Sequence, residues 1–392
     1  MSKPVEKIIA DTFMELASAL ETGSFKPARI VLTGPGSEHG EDNMIRGAEI
    51  AAARGCEVIY AGSLTADGIR TVRADSDNEA HDIMESLLKS GEADGAVTMH
   101  YAFPIGVSTV GRALTPGLGK TMYIATTTGT SSVDRVGGMV LNAIYGIITA
   151  KSCGVKNPTV GILNVEGARQ AEMSLKDLHK NGFDISFAES GRSDGGCVMR
   201  GNDVLAGTCD VLVTDPLTGN ILVKMLSSFT TGGSYETLGW GYGPGIGQDF
   251  NKLILILSRA SGAPLVANAI GFAAELVRGQ YGQVASSTFA AAHMAGLTDA
   301  LEALRAKKAP SAVSASNGLS GSPVVAAPPK EVVTAEISGI EITDIEDAVE
   351  ALWRENIYAQ SGMGCTGPVV MVSEANHNKA AAILAGKGYI RP

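Results

Sequence analysis

The chain lacks any paired-cysteine spacing. Its five cysteines, Cys56, Cys153, Cys197, Cys209 and Cys365, are scattered, odd in number and never form CxxC. A disulfide framework and a zinc site are therefore not expected, and a reducing, cytoplasmic compartment is. The six histidines fall at no metal-ligand spacing with them, so no metal is expected. No uninterrupted run of roughly 20 apolar residues occurs, so no helical membrane span is expected. The stretch Met1 to Leu20 carries Lys3, Glu6, Lys7, Asp11 and Glu15 and reads as an amphipathic helix, not a signal peptide. Positive charge is also scarce. Against 41 acidic residues there are 31 basic ones, giving a net charge of −10 without a basic cluster. Nucleic acid and anionic membranes are thereby disfavoured as partners, while a small anion held by local cations and amides is not. Aromatic residues make up only 5%.

Glycine is abundant, with 48 residues in a chain of 392 that is 45% hydrophobic. Such a chain buries a large core in two or three domains, and glycine suits many tight βα turns. Strand-like runs at 28–33, 57–61, 95–99 and 121–125 alternate with helical periodicity at 41–54 and 78–90. The pattern restarts after Pro158, with strands at 159–163, 184–188 and 211–214 and helices at 167–180, from about Asn220, and at 286–305. This alternation predicts an α/β fold with a parallel sheet covered by helices. The expected division is 1–137 plus 285–306 as a first α/β domain and 138–284 as a second, carrying the Thr218-Gly219-Asn220 turn. An Ala/Ser/Pro-rich flexible linker follows at 307–333, then a small module at 334–392. That module reads as α-loop-β-α. It is too small for a strong core of its own and is expected to dock on the body or on a partner.

Three segments carry chemistry. Thr214-Asp215-Pro216-Leu217-Thr218-Gly219-Asn220-Ile221-Leu222-Val223-Lys224 reads as a phosphate-handling turn. Unsatisfied amides at a helix start suit an anion, Thr218 and Asn220 add hydrogen bonds, and Lys224 lies one turn on, on the face of Asn220. An ordinary turn, with Asn220 as N-cap and Lys224 in solvent, is the other reading. Ser258-Arg259 offers a hydroxyl and a guanidinium at a strand end, a pair able to hold a phosphate-bearing centre. Cys365 lies in Ser361-Gly362-Met363-Gly364-Cys365-Thr366-Gly367-Pro368. Flanking glycines let amides converge on sulfur, lowering its pKa and later holding a thioester oxyanion. A lone cysteine is more often a small buried apolar residue, which is the reading for Cys56, Cys153 and Cys209; Cys197 stays undecided. Neither Gly34-Pro35-Gly36 nor the glycine run 239–247 fits a dinucleotide fingerprint. Thiol and phosphate turn together suggest an acyl group handed from sulfur to phosphate.

The segment Asn157-Pro158-Thr159-Val160-Gly161-Ile162-Leu163-Asn164, the 214–224 segment and Leu257-Ser258-Arg259 resemble the phosphotransacetylase and PlsX-type phosphate acyltransferase superfamily, over about residues 28 to 305. With its linker and Gly364-Cys365-Thr366-Gly367-Pro368 tail, the whole chain is similar to the component C alpha subunits of glycine/sarcosine/betaine reductases. The resemblance implies a two-domain parallel-sheet sandwich of the phosphotransacetylase or isocitrate-dehydrogenase-like type, with the site in the cleft between domains. It implies an acetyl group generated from a carboxymethyl-selenoether, captured as a thioester and released by phosphate as acetyl phosphate. Implied partners are the component C beta subunit and the selenoprotein carrier component, in an oligomer. No bound cofactor is implied, and inorganic phosphate is a substrate. By position, Ser258 and Arg259 match the pair at the acyl-phosphate centre, and Thr218, Gly219, Asn220 and Lys224 match the cleft lining. Arg112, in Ser108-Thr109-Val110-Gly111-Arg112-Ala113-Leu114, resembles an arginine after a Ser/Thr-rich loop. Gly364, Thr366 and Gly367 would form the thioester loop around Cys365. One departure stands out: phosphotransacetylases carry an acid shortly after the Ser-Arg pair, and 260–270 has none. That fits a thiol supplied by protein rather than by coenzyme A. Two further readings stay open, an acyl-carrier-dependent phosphate acyltransferase of lipid synthesis and a non-catalytic scaffold subunit. His100 and His377 are left without a role, and His179 and His293 read as structural or exposed.

Overall fold

The computed structural model describes residues 27–191, 196–308, 325–340, 344–364 and 367–390. The body opens with β1 (Arg29–Thr33), α1 (Glu41–Ala53), β2 (Glu57–Gly62), β3 (Arg70–Arg73), α2 (Asp77–Ser90) and β4 (Gly95–Thr98). A two-residue strand, β5 (Phe103–Pro104), leads into the long β6 (Val107–Leu114) and β7 (Thr121–Thr130). Then come α3 (Arg135–Ser152), β8 (Thr159–Leu163), α4 (Ala168–Lys180), β9 (Ser186–Phe187), β10 (Val198–Met199), α5 (Gly201–Ala206), β11 (Val211–Val213) and α6 (Pro216–Ser227). The body closes with β12 (Gly243–Ile246), β13 (Ile254–Ile256), α7 (Ala263–Arg278), α8 (Tyr281–Met294) and α9 (Leu297–Lys308).

The strands form one sheet in the order β10-β8-β11-β7-β6-β12-β13-β4-β1-β2-β3, with β9 on β8. Two parallel wings, β13-β4-β1-β2-β3 and β10-β8-β11-β7, meet through the antiparallel pairs around β6 and β12. Helices cover both faces, so strands such as Ile30-Val31-Leu32 and Val211-Leu212-Val213 are buried throughout. The fold is the expected mainly parallel α/β type.

The wings divide the chain differently from the sequence boundaries. β6 and β7 fall in the expected first domain but pair within the wing of β11. β13 and α7 fall in the expected second domain, but β13 pairs with β4 and α7 packs on α1. The chain crosses between wings twice among the strands and again where α8 and α9 pack on α3, and periodicity along the sequence carries no record of which strand a strand will pair with. Local signals fare better. Ser76 caps α2 by accepting from Glu79 N, and Gly91 ends it in the left-handed region. The expected helix at 286–305 is two helices, parted at Gly296 with φ +93°.

The C-terminal module is richer than α-loop-β-α. It contains β14 (Ala335–Ile337), α10 (Ile345–Arg354), β15 (Ala359–Gly364), β16 (Gly367–Val372) and α11 (His377–Gly386). The apolar face of α10 (Ile345, Val349, Leu352) packs with Ile337, Val370, Val372 and Leu384 in a core of its own. β15 lacks a strand-like apolar alternation and was not foreseen. It forms because it is paired on both sides, with β16 along its length and with β5 through Gly362↔Pro104 and Met363↔Phe103. The module thus docks on its own body, which lends β5 to a sheet ordered β14-β16-β15-β5. The hairpin's last pair is Gly364↔Gly367. The two residues between them, Cys365 and Thr366, lie outside the described residues, as does 309–324 of the expected linker.

Candidate functional site

A cavity of about 200 Å³ opens at the carboxyl ends of β4 and β13, where ligands of open α/β sheets bind. His100 follows β4, and Leu257, Ser258 and Arg259 follow β13. Thr128 and Gly129 of β7, Asn220 of α6, Tyr242 and Gly364 of the tail hairpin complete the polar part of the lining. Met99, Tyr101, Phe103 and Ile256 form the apolar remainder.

A cluster beside it, sharing Ser258 and Tyr242 with its lining, joins two of the expected motifs. Lys224 Nζ donates to Ser258 Oγ at 3.2 Å and to Glu236 Oε1 at 2.9 Å. Burial opposes the ammonium, but Glu236 and Tyr242 outweigh that and leave its pKa above the ordinary lysine value. Lys224 is therefore a fixed positive charge. Burial, helped by the Glu236 charge and opposed by Lys224 and Ser258, pushes the pKa of Tyr242 up to about 12. Its hydroxyl is therefore protonated at neutral pH. Ser258 Oγ also accepts from Ala260 N at 3.2 Å.

Glu236 was not foreseen. It is 2% exposed, and Ser227 Oγ donates to its other oxygen at 2.9 Å. Its backbone donates to Ala260 O at 3.0 Å and accepts from Gly262 N at 2.7 Å. A buried carboxylate bound to a cation thus lies near Ser258, although 260–270 carries none. The polar stretch around it resembles an ordinary loop in sequence, so no local signal marks it. Tyr242 and the β7 residues Thr128 and Gly129 were missed for the same reason.

The helix carrying the turn starts earlier than expected. Asp215, not Asn220, is the N-cap of α6; its carboxylate accepts from Thr218 N at 3.0 Å and from Thr218 Oγ1 at 2.6 Å. Pro216 has no N–H to offer. The amides expected to bind an anion are thus largely spent, and an acidic cap sits among them. Thr218 stays with Asp215, away from the cavity lining. Gly219 acts by absence: a Cβ there would lie 1.8 Å from Thr126 O, so α6 lies against β7 backbone. That closeness aims Asn220 and Lys224 at the site, where Asn220 Nδ2 also donates to Thr127 O at 3.1 Å.

Arg259 lines the cavity and faces Asp77 at 3.7 Å, both side chains being more than a third exposed. Arg112 does not join it. Side chains alternate along β6; the Gly111 position faces Val223 of α6, while Arg112 points to the other face. There it pairs with Glu275 at 2.6 Å and lies over the Trp240 ring at 4.0 Å. Gly364 lines the cavity and Gly367 is its backbone partner. Burial pushes the thiols up, to about 11 for Cys153 and about 12 for Cys197 and Cys209, and raises that of Cys56. All four are free, with Cys197 and Cys209 buried, and read as structural. His100 faces Glu336 of the module at 3.8 Å. His377 Nε2 lies 3.4 Å from Glu336 O, His179 bonds Phe183 O and His293 bonds Gln248 and Thr298. Among the described residues there is no acidic or His/Cys group suited to a metal ion, and no helix long and apolar enough to cross a membrane.

Comparison with known proteins adds the following. The family model described as "Fatty acid synthesis protein" matches residues 28–371. The chain is 54% identical to the glycine/sarcosine/betaine reductase complex component C subunit alpha of Peptoclostridium acidaminophilum, over 98% of this chain and 99% of that protein. It is 26% identical to the phosphate acyltransferase of Xanthobacter autotrophicus, over 50% of this chain and 67% of that one. A branched-chain phosphotransacylase from Enterococcus faecalis superposes with a TM-score of 0.45 at 17% identity, covering 63% of this chain and 99% of its own.

Proposed function

The chain belongs to the family of the component C alpha subunits of glycine/sarcosine/betaine reductase, within the phosphate acyltransferase kind, and from that premise we propose that it forms acetyl phosphate from a cysteine-bound acetyl group. The observation that carries this reading is a cavity lined by Ser258, Arg259 and Gly364, the residue bonded to Cys365, with Lys224 beside it donating to Ser258 Oγ. Inorganic phosphate sits between Lys224 and Arg259, with Asn220 and Ser258 as further hydrogen-bonding groups. The Cys365 thiolate accepts the acetyl group from a partner component of the complex, the selenoprotein carrier, with the beta subunit completing the assembly.

The transfer then balances simply. An oxygen of hydrogen phosphate forms a bond to the thioester carbonyl carbon. The C–S bond breaks with its electron pair on sulfur, and the proton lost by phosphate ends on the thiolate. The products are acetyl phosphate and the Cys365 thiol. Lys224 and Arg259 offset the approach of an anion to a developing oxyanion, and the cavity holds both reactants in place. No coenzyme A thiol needs deprotonation, in keeping with a Glu236 already engaged by Lys224 and Ser227. At about 200 Å³ the cavity falls below the roughly 300–1,000 Å³ of drug-sized ligand sites. That favours a short acyl group over the long chains of lipid synthesis.

The deciding experiment is peptide mapping of the full complex during turnover. An acetyl group on Cys365, absent in Cys365→Ser, is expected, with acetyl-phosphate formation lost and the circular dichroism spectrum retained. Full activity in Cys365→Ser would overturn the reading.

A further inference from the structure

We propose that Phe103 and Ile256 form the wall that limits the transferred acyl group to two carbons, an inference that rests on the acyl-transfer reading. The hairpin that carries the thiol meets the body at this wall. Met363 is the partner of Phe103 across the β15–β5 pair, and Gly364, the next residue, lines the cavity together with Phe103 and Ile256. The groups that receive phosphate, Asn220, Ser258 and Arg259, line the same cavity. An acyl group delivered from the hairpin therefore turns its carbonyl carbon to phosphate and its alkyl end to apolar side chains, where leaving water is favourable. Phe103 and Ile256 belong to one packed cluster, whereas Met99 belongs to the other core.

Neither wall residue has room to move. Phe103 is 2% exposed, and its ring centroid lies 5.0 Å from that of Tyr101 and 5.5 Å from that of Phe250. A Cβ at Gly245 would lie 2.3 Å from the ring, so the ring rests directly on the β12 backbone. Tyr101 is pinned in turn, its hydroxyl donating to Glu85 Oε1 at 2.7 Å. Ile256 is held between β12 and β4, through Gly243↔Ile256 and Ile256↔Thr98, and branching at Cβ stiffens its side chain. Volume then sets the limit. A six-carbon ring occupies a cavity of about 150 Å³, roughly 25 Å³ for each non-hydrogen atom. Acetyl phosphate, with eight such atoms, needs about 200 Å³, which matches the cavity of about 200 Å³. Butyryl phosphate, with ten, needs about 250 Å³. Ile256→Ala removes three carbons and returns about 75 Å³.

Exchange of labelled inorganic phosphate into acetyl, propionyl and butyryl phosphate by the full-length protein tests it. In the exchange the Cys365 sulfur bonds the carbonyl carbon, the C–O bond breaks with its electron pair on phosphate, and the thiol proton goes to that phosphate; labelled phosphate then reverses the step. The parent is expected to use butyryl phosphate about a hundredfold less well than acetyl phosphate in kcat/KM. Ile256→Ala narrows that ratio about tenfold or more. Met99→Ala, which opens a similar volume from the other core, gives no comparable gain. Ile256→Val, read with propionyl phosphate, decides the question should the alanine variant fail to fold. A parent that uses butyryl and acetyl phosphate equally overturns the proposal, as does a ratio that both Ile256 variants leave unmoved or that Met99→Ala narrows as much. Exchange that survives Cys365→Ser overturns the thiol reading instead, and a parent without exchange on any acyl phosphate overturns both.

Discussion

Replacing Lys224 by Met separates a structural role from a chemical one. The ammonium lies 2.9 Å from Glu236 Oε1 and 3.2 Å from Ser258 Oγ. Glu236 is 2% exposed, so the substitution strands a buried carboxylate and leaves it Ser227 Oγ as side-chain donor. Removing one partner of a buried ion pair costs about 3–5 kcal/mol. The Lys224 side chain is 50% exposed, solvent screens the pair, and about 2–3 kcal/mol is expected instead. The double variant Lys224→Met/Glu236→Gln removes the stranded charge and keeps the shape, so it regains most of that loss.

Activity obeys a different rule. The positive charge is gone from both variants, so kcat/KM for phosphate falls about 10²–10³-fold in each, as when one preorganised charge partner is lost. The assay pairs urea denaturation with phosphate-dependent acyl-phosphate formation, trapped as the hydroxamate. A double variant that regains both stability and phosphate turnover refutes the reasoning, because Lys224 would then serve only to anchor Glu236.

Gly219→Ala places a Cβ 1.8 Å from Thr126 O, and backbone cannot step aside; a loss of about 3 kcal/mol is expected, with activity falling as α6 tilts, whereas an unchanged melting temperature contradicts the packing argument. His81 has its pKa lowered, chiefly by burial and further by His100, so the unfolded chain binds the extra proton more readily. Stability therefore rises with pH through the window from the folded value up to about 6.5, and is lost as pH falls through it; denaturation of parent and His81→Gln at about pH 7.5 and 5.5 should show the loss in the parent only. Asp77→Asn frees Arg259 from a pair worth about 0–1 kcal/mol and should lower KM for phosphate up to about fivefold, while a raised KM would place Asp77 among the binding groups.

The parts of this molecule that were legible in the sequence are those whose cause is local. The β-branched runs of β1 and β8 and the helical periodicity of α2 lie within the elements they determine. Ser258 and Lys224, singled out in the sequence at a strand end and on a helix face, meet in the structure. Glu236 was not, because its burial comes from backbone bonds to Ala260 and Gly262 and from Lys224 on another element. β15 was not, because its strand character comes from β16 and β5 on either side. The exchange of β6, β7, β13 and α7 between wings is likewise a pairing decision that no window of sequence contains.

The two site cations each meet a carboxylate, but the two contacts differ in strength. Lys224 is bonded at 2.9 Å to a carboxylate removed from water, whereas Arg259 faces the solvent-accessible Asp77 at 3.7 Å. The first contact is geometrically rigid and the second costs little to break. If phosphate binds as proposed, it would find one cation held in place and one released on arrival. On the proposed reading, Arg259 turning from Asp77 to phosphate would supply most of the new charge neutralisation, while Lys224, kept charged by Glu236, would fix where the anion sits. An acid placed after Arg259, free to act as a base, would compete for that arginine. Its absence from 260–270 and the buried placement of Glu236 are thus two sides of one arrangement, suited to binding an anionic nucleophile rather than deprotonating a neutral one.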